Sequence, residues 1–368
     1  MRRVNVGVFL HDLFPAPAKA PVLFPPDVTP DVPLLDVRSP CEFAQSHIPG
    51  AVSFPLFSDE ERAQVGTLYK NAGRERAMCL GFTLVGSRLG TMAEQLAAIA
   101  GDGKRLALYC SRGGMRSGSV AWLCATLGLR GTVLAGGYKA FRRHVLHSFA
   151  IPRRLLVLGG RTGSGKTEVL HRLAALGEQV VDLEGLAAHR GSAFGSWPDR
   201  PQPSTAQFEN LLSLALAGTD PGRALWVEDE SENLGKNNVP TDFFRQMRDA
   251  PVIVLDVPRQ ARLDRALAEY GNIAREETAQ CLDRIRKRLG GLAHKQAHEH
   301  LAADDLPPLA SILLDYYDRA YDKQLVRRPP AGRVRAESVE EAAGRLLALR
   351  KERERLFGGL APKPPAGD

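Results

Sequence analysis

The sequence predicts an α/β protein made of one parallel-sheet domain, a second parallel-sheet domain and a helical, Arg-rich C-terminal part. Three observations predict it. Short apolar runs suited to buried strands alternate with longer helical stretches. The same alternation restarts near residue 153, and from about residue 259 the pattern turns mostly helical and rich in arginine. Domain boundaries follow: a Pro-rich lead-in at 1–30, a first domain at 31–146, a linker at 147–152, and a second domain with its helical extension at 153–368.

Taken in order, "FPAPAKAPVLFPPDVTPDVP" reads as a surface tail or arm. Then come the strand "PLLDVRS", the turn and short strand "HIPGAVSFPL", a helical run at "GSRLGTMAEQLAAIAG", the strand "RLALYC", the helix "MRSGSVAWLCATLG" and the strand "GTVLAGGY". "AFRRHVLHSFAIPRR" reads as a linker. The second set of strands is "RLLVLGG", "QVVDLEG", "ALWVEDES" and "PVIVLDV", with helical stretches between them and no internal repeat.

Composition narrows the function classes. The 368 residues include five cysteines, an odd number with no CxxC pair, and no basic-then-apolar leader. A reducing cytoplasm is expected, without a disulfide framework. No apolar run approaches the roughly 18 residues of a membrane span. A net charge of +7 fits a polyanionic partner, although many basic proteins are only well solvated.

"LYCSRGGMRSGS" places Cys110 at the end of a buried strand, before a Gly-containing loop and a helix start. Backbone N–H groups converge at such a turn and favour a thiolate. Gly113 and Gly114 let the loop curl, and Arg112 and Arg116 can balance a bound oxyanion. A small core residue preceding a turn is the plainer alternative, and Cys124 in "AWLCATLG" is read that way. The Cys-x5-Arg spacing also suits a tetrahedral oxyanion, so phosphatase chemistry stays open for this domain taken alone.

"GRTGSGKT" follows an apolar strand and precedes a helical stretch, the context that a P-loop requires. Gly160, Gly163 and Gly165, with Thr162 and Ser164 between them, would wrap phosphate oxygens in N–H groups. Lys166 supplies charge, and Thr167 is a candidate magnesium ligand. Glu228, Asp229 and Glu230 in "LWVEDESENLG" stand where acids hold metal or water, or act as a base. "HRGSAFG" joins His189 and Arg190 to two glycines, as a substrate-facing loop or an ordinary surface loop.

The order "LLDVRSPCEFAQSHIPGAVSFPL", "YCSRGGMRS", "LAGGYKAF" resembles the rhodanese domain, with a cysteine loop one residue longer than the Cys-x-x-Gly-x-Arg of many single-domain examples. That resemblance implies that Cys110 accepts a chalcogen, with Asp36 and Arg38 shaping the pocket. Joined to "GRTGSGKT", "DLEGLAAHRGSAFG", "PQPS", "FEN" and "VEDES", it closely resembles the tRNA 2-selenouridine synthase family; "EERAQVGTLYKNAGRERAMCLGF" and "LLDYYDRAYDK" match too. The family implies replacement of sulfur by selenium in wobble 2-thiouridine, selenophosphate as donor, and an S-geranylated intermediate made from geranyl diphosphate. On that resemblance the P-loop holds the prenyl diphosphate. The three acids hold Mg2+ or water, His189 and Arg190 position substrate, and no tightly bound cofactor is expected.

A tRNA anticodon loop needs positive surface. Arg259, Arg262, Arg265, Arg284, Arg286, Lys287 and Arg288 are candidates, as are Arg327, Arg328, Arg333 and Arg335. Trp197, Tyr316 and Tyr317 could stack on an unpaired base or pack in a core. His294, His298 and His300 in "HKQAHEH" lack a third ligand type nearby, so no metal is expected there. Two rivals remain, a rhodanese–kinase fusion using ATP and a non-catalytic P-loop module that recruits RNA.

Overall fold

The structure is a computed structural model that describes residues 1–14, 30–191, 195, 200–270 and 274–357. It divides into two compact units. The first comprises the described parts of 1–148 together with 204–214; the second, the described parts of 149–203 and 215–357.

The first unit contains β1 (Arg2–Val4), α1 (Val6–Leu13), β2 (Leu34–Asp36), α2 (Pro40–Gln45), β3 (Ala51–Ser53), α3 (Asp59–Gly86), α4 (Leu89–Ala100), β4 (Arg105–Tyr109), α5 (Met115–Thr126), β5 (Arg130–Leu134) and α6 (Gly137–Ser148). Its sheet is parallel throughout, in the order β1-β5-β4-β2-β3. The strands are apolar on both faces because helices cover both. Leu35, Leu96, Leu106, Leu108 and Val120 meet in one core.

Three features depart from the sequence reading. The first 14 residues are structured: β1 pairs with β5, and the Asn5 side chain caps α1 through Val8 N–H at 3.0 Å. The Pro-rich residues 15–29 lie outside the described residues. "SDEE" opens α3 with a capping box between Ser58 and Glu61, and Gly73 at φ +84° kinks it. "AFRRHVLHS" is helix rather than linker, since Phe141 and Val145 lie one turn apart on its buried face.

The second unit contains β6 (Leu155–Gly160), α7 (Lys166–Ala175), β7 (Gln179–Val181) and α8 (Leu183–Ala187). The chain then contributes most of α9 (Thr205–Ala217) to the first unit. It continues with β8 (Leu225–Glu228), the hairpin β9 (Asn233–Leu234) and β10 (Asn237–Asn238), α10 (Thr241–Asp249), β11 (Val252–Asp256), α11 (Arg259–Tyr270), α12 (Arg275–Leu289), α13 (Gly291–Ala302), α14 (Leu306–Arg327), β12 (Gly332–Arg335) and α15 (Val339–Phe357). The main sheet is again parallel, in the order β12-β11-β6-β8-β7, which puts the phosphate-loop strand at its centre and β8 beside it. β12 was not foreseen: its "GRVR" reads as a basic segment, yet Val334 is buried between exposed Arg333 and Arg335 in strand alternation.

Candidate active sites

Cys110 lies at the C-terminal end of β4, where the loop to α5 curls back on the next connection. Gly113 has φ +63°, and a Cβ there would fall 2.7 Å from Leu134 O and Gly136 N. At Gly137, φ +58°, a Cβ would fall 2.2 Å from Cys110 O. Only glycine fits either place. The "GGYK" turn fastens the loop, with Tyr138 N–H donating to Cys110 O at 2.8 Å and Lys139 N–H to Ser111 O at 3.0 Å.

The Cys110 side chain is 3 % exposed. Burial opposes its ionisation, but the Ser117 hydroxyl and the backbone N–H groups of Ser117, Arg112 and Gly114 outweigh burial, and the thiol titrates below its ordinary range. Ser117 Oγ lies 3.2 Å from Cys110 Sγ and 3.3 Å from Gly114 O. Its single proton therefore has two acceptors, and a thiolate is the stronger.

The two arginines of the loop differ. Arg112 is exposed, whereas Arg116 is committed to Glu42 of α2, at 2.5 and 3.2 Å. Burial would raise the Glu42 carboxyl, but Arg116, the Ser39 N–H and Arg62 hold it at about 2. Asp36 and Arg38 are buried and paired at 2.6 Å; Arg38 also donates to Ser46 O at 2.6 Å and stacks over the Tyr138 ring at 4.0 Å. Their charges are spent on each other.

The "FEN" residues of α9 belong to this unit. Phe208 and Asn210 are buried; Asn210 Nδ2 donates to His47 O and to Tyr138 Oη, both at 2.8 Å. Arg142 reaches Asn210 Oδ1 at 2.6 Å and also pairs with Glu209. A motif read as part of the second domain thus locks the turn beside Asp36 and Arg38.

In the second unit, Gly163 and Gly165 take φ of +76° and +73° in the phosphate loop. Lys166 Nζ folds back to Gly160 O at 3.3 Å. Thr162 O accepts from Arg262 at 3.2 Å and Gly163 O from Arg265 at 2.9 Å. Arg262, 4 % exposed, is also doubly bonded to Asp318 at 2.8 and 2.7 Å. Arg262 and Arg265 therefore hold two of the loop's carbonyls. Ser164 Oγ is buried with no partner.

The acids after β8 separate. Glu228 points inward and accepts Leu183 N–H at 3.1 Å with one oxygen, while its other oxygen, Oε1, has no partner. Burial, then Asp182 and Glu184, push its carboxyl well above the usual range. Asp229 is held by Arg328 at 3.0 Å and Gln324 at 3.1 Å, and burial raises it. Glu230 is pushed up to about 8 by burial and by Glu184. Glu184 in turn accepts from Thr167 Oγ1 at 3.0 Å, and burial raises it as well. Asp182 and Glu184 went unnamed as site residues. Their signal was the spacing in "VDLEG", two acids just past the end of β7, the strand next to β8.

His189 is buried, and burial together with Arg284 lowers its imidazole. Gly191 N–H donates to His189 Nδ1 at 3.1 Å, leaving Nε2 to carry the proton of the neutral ring. Gly191, φ +64°, lies so close to Glu230 that a Cβ would sit 2.3 Å from Oε2. The "HRG" backbone is thus packed against the acid cluster. The backbone N–H of Arg190 donates to Gly195 O at 2.8 Å; Ser192 to Phe194 and Trp197 lie outside the described residues. Gln202 of "PQPS" bonds Ala187 O, Leu234 O and Lys236 N–H, stapling the β9–β10 hairpin. Asn237 on that hairpin is buried with both amide atoms unpartnered, a third polar residue, after Asp182 and Glu184, that the motifs did not single out.

Residues 153–348 match the family model described as the tRNA 2-selenouridine synthase AAA domain, and residues 27–144 match the rhodanese-like domain. A tRNA 2-selenouridine synthase of Bdellovibrio bacteriovorus is 37 % identical over 81 % of this chain and 90 % of its own length. The chain belongs to the tRNA 2-selenouridine synthase family. Proteins of that name from Shewanella denitrificans, 38 % identical over 80 % of this chain and 89 % of theirs, and from Nitrosomonas europaea, 42 % identical over 65 % and 64 %, are similarly related.

For an enzyme of the tRNA 2-selenouridine synthase family, the expected basic residues sort by burial. Arg262 and Arg328 are corrections: the first is buried under the phosphate loop, and the second is spent on Asp229 and on Ala250 O at 2.7 Å. Arg265 pairs with Glu168 at 3.1 Å, Arg259 with Asp315 at 2.6 Å, and Arg284 donates to Cys281 Sγ at 2.8 Å. Arg286, Lys287 and Arg288 are exposed on the last turn of α12, and Arg327, Arg333 and Arg335 are exposed as well. Tyr316 and Tyr317 pack edge to face at 4.9 Å against the core of α12, α13 and α14. Among the described residues no helix is long and apolar enough to cross a membrane.

Proposed function

We propose that this chain replaces sulfur by selenium in the wobble 2-thiouridine of tRNA, in two steps that use its two anion sites in turn. The observation that carries the reading is the Cys110 cradle, a buried thiol whose ionised form is favoured, in a member of this family.

In the first step the thiouridine sulfur attacks C1 of geranyl diphosphate. The C–S bond forms, the C–O bond breaks, diphosphate departs and the nucleobase loses its N3 proton. The phosphate-loop N–H groups and Lys166 take up the leaving charge. Alkylation turns a poor leaving group into a thiolate that departs readily. Thr167, Glu184 and Glu230 form an oxygen-only donor set beside Lys166, and burial raises both carboxyls. That set suits Mg2+, which would supply further charge neutralisation at the diphosphate. His189 and Arg190, next to the Gly191 backbone packed on Glu230, would orient the nucleobase.

In the second step the Cys110 thiolate attacks phosphorus of selenophosphate; the S–P bond forms as the P–Se bond breaks, and selenide leaves. Selenide then attacks C2 of the geranylated base and expels geranyl thiolate, while water clears the phosphoryl group from sulfur. A perselenide on Cys110 would need a two-electron oxidant that selenophosphate does not provide. Arg112, exposed at the loop, would meet the donor's oxygens, and Arg116 would act through Glu42. The exposed turn Arg286, Lys287 and Arg288 would face tRNA phosphates. A reducing cytoplasm would preserve the thiol.

The test is mass spectrometry of wobble-thiolated tRNA with geranyl diphosphate and selenophosphate, added singly and together. The expected result is a geranyl adduct, then sulfur-to-selenium exchange. ATP consumption with neither mass change would overturn the reading in favour of the kinase-like rival.

A further inference from the structure

"HKQAH" places His294 and His298 four residues apart on α13, so both rings leave the same face one turn apart. The sequence offered no third ligand beside them. The fold does: α12 ends at Gly290, whose φ of +93° turns the chain, and α13 packs back along α12. This brings in Asp283, eleven residues before His294.

The three ligand atoms converge. His294 Nε2 lies 2.8 Å from Asp283 Oδ1, His298 Nε2 lies 3.2 Å from the same oxygen, and the two Nε2 atoms are 3.2 Å apart. Bonds of about 2.0–2.1 Å to a tetrahedral zinc set neighbouring ligand atoms roughly 3.3 Å apart, close to these separations. The rings are tilted by 59° with centroids 4.5 Å apart, so both nitrogens address one point rather than stacking. His300 is turned away and pairs with Asp305 at 3.1 Å.

We propose that Asp283, His294 and His298 form a site for a zinc-type divalent ion that clips α12 to α13. Two imidazoles and one carboxylate select a borderline ion over Mg2+, which prefers oxygen alone. The fourth position opens to solvent, since Asp283 is well exposed. The clip stands one residue from Arg284 and three to five from Arg286, Lys287 and Arg288 on the same helix. It fixes the direction in which that basic turn projects.

The experiment uses the full chain, stripped by chelator, with its thiols blocked by methyl methanethiosulfonate and with excess Mg2+ present to occupy the carboxylates by the phosphate loop. Zn2+ is titrated against a chromogenic competitor, and Co2+ serves as a spectroscopic probe. The expected result is one equivalent of Zn2+ that raises the thermal midpoint, with affinity reduced at least about tenfold in His298→Gln and in Asp283→Asn, and loss of the Co2+ ligand-field bands in both. Unchanged stoichiometry and affinity in either folded variant, or no Zn2+ binding in the wild type, would overturn it. Both variants keep hydrogen-bonding groups of similar size, and circular dichroism confirms which are folded; either one alone decides.

Discussion

The Cys110 loop and the phosphate loop are built alike and charged oppositely. Each follows a central parallel strand, turns on glycines with positive φ, and opens a helix. At Cys110 the N–H groups close on the protein's own sulfur, hydrogen bonding beats burial, and the thiol ionises early. At the phosphate loop acids gather around Lys166, burial wins, and Glu230 keeps its proton to about 8. The same local geometry therefore surrounds an easily ionised thiol in one unit and a lysine ringed by acids in the other, and the proposed roles of nucleophile and anion receptor follow from that difference. What decides between them is whether an anion is supplied by the chain or left for the substrate.

The largest effect that could break this comparison comes from removing each centre. Lys166→Ala should lower geranyl transfer by about 10²–10³-fold while leaving Cys110 alkylation by iodoacetamide unchanged. Cys110→Ala should abolish selenation of a pre-geranylated tRNA and leave geranylation intact. Loss of both activities in either variant would mean that the two sites do not act separately.

Glu230 gives the next test. Its carboxyl is raised from 4.5 to about 8, so between those pH values the folded state holds a proton that the unfolded state has released. Stability conferred by that proton is present at low pH and declines as pH rises through this window. The thermal midpoint of the Mg2+-free protein should fall from pH 5 to pH 8, more steeply than that of Glu230→Gln. Parallel curves would show that the acid cluster does not hold the proton assigned to it.

A smaller effect is expected at Ser117. Without its hydroxyl the Cys110 thiolate loses its side-chain donor but keeps the backbone N–H groups. Ser117→Ala should therefore slow alkylation of Cys110 at neutral pH several-fold, and the rate should recover at alkaline pH. An unchanged rate at neutral pH would assign the activation to the backbone alone.

How much of this was legible follows from the range of each interaction. Strand–loop–helix motifs are local, so Cys110 and "GRTGSGKT" stood out, and the strands that carry them were found. Burial of charge is decided by partners far along the chain. Nothing near Arg262 announces Asp318, and nothing near Arg328 announces Asp229, so both passed as surface charge. Glu184 was missed because its role depends on β7 lying beside β8, a matter of sheet order. That most of the "FEN" helix clusters with the first unit, although the AAA-domain match spans it, was not legible because chain order and spatial order diverge there. The lead-in strand was missed because the prolines at 15–33 dominated the reading of that segment.

Glu42 offers the finest test, because it is the thiol unit's counterpart of Glu230. Both carboxyls lie beside a glycine-turned loop and are pressed by burial, yet Arg116 holds Glu42 ionised to about 2, while burial and Glu184 keep Glu230 protonated to about 8. A carboxyl held below its unfolded value of 4.5 lends stability that is complete above that pH and is lost as pH falls toward 2. Arg116→Gln removes the main partner. With Glu42 partly solvated, the cost at neutral pH should be about 1 kcal/mol. Hydrogen exchange of α2 and α5 amides, taken as the ratio of variant to wild type at each pH, should show faster opening at pH 7 and convergence as the pH drops below 4. A ratio independent of pH would show that Arg116 holds α2 by packing rather than by charge, and the contrast between the two glutamates would then rest on Glu230 alone.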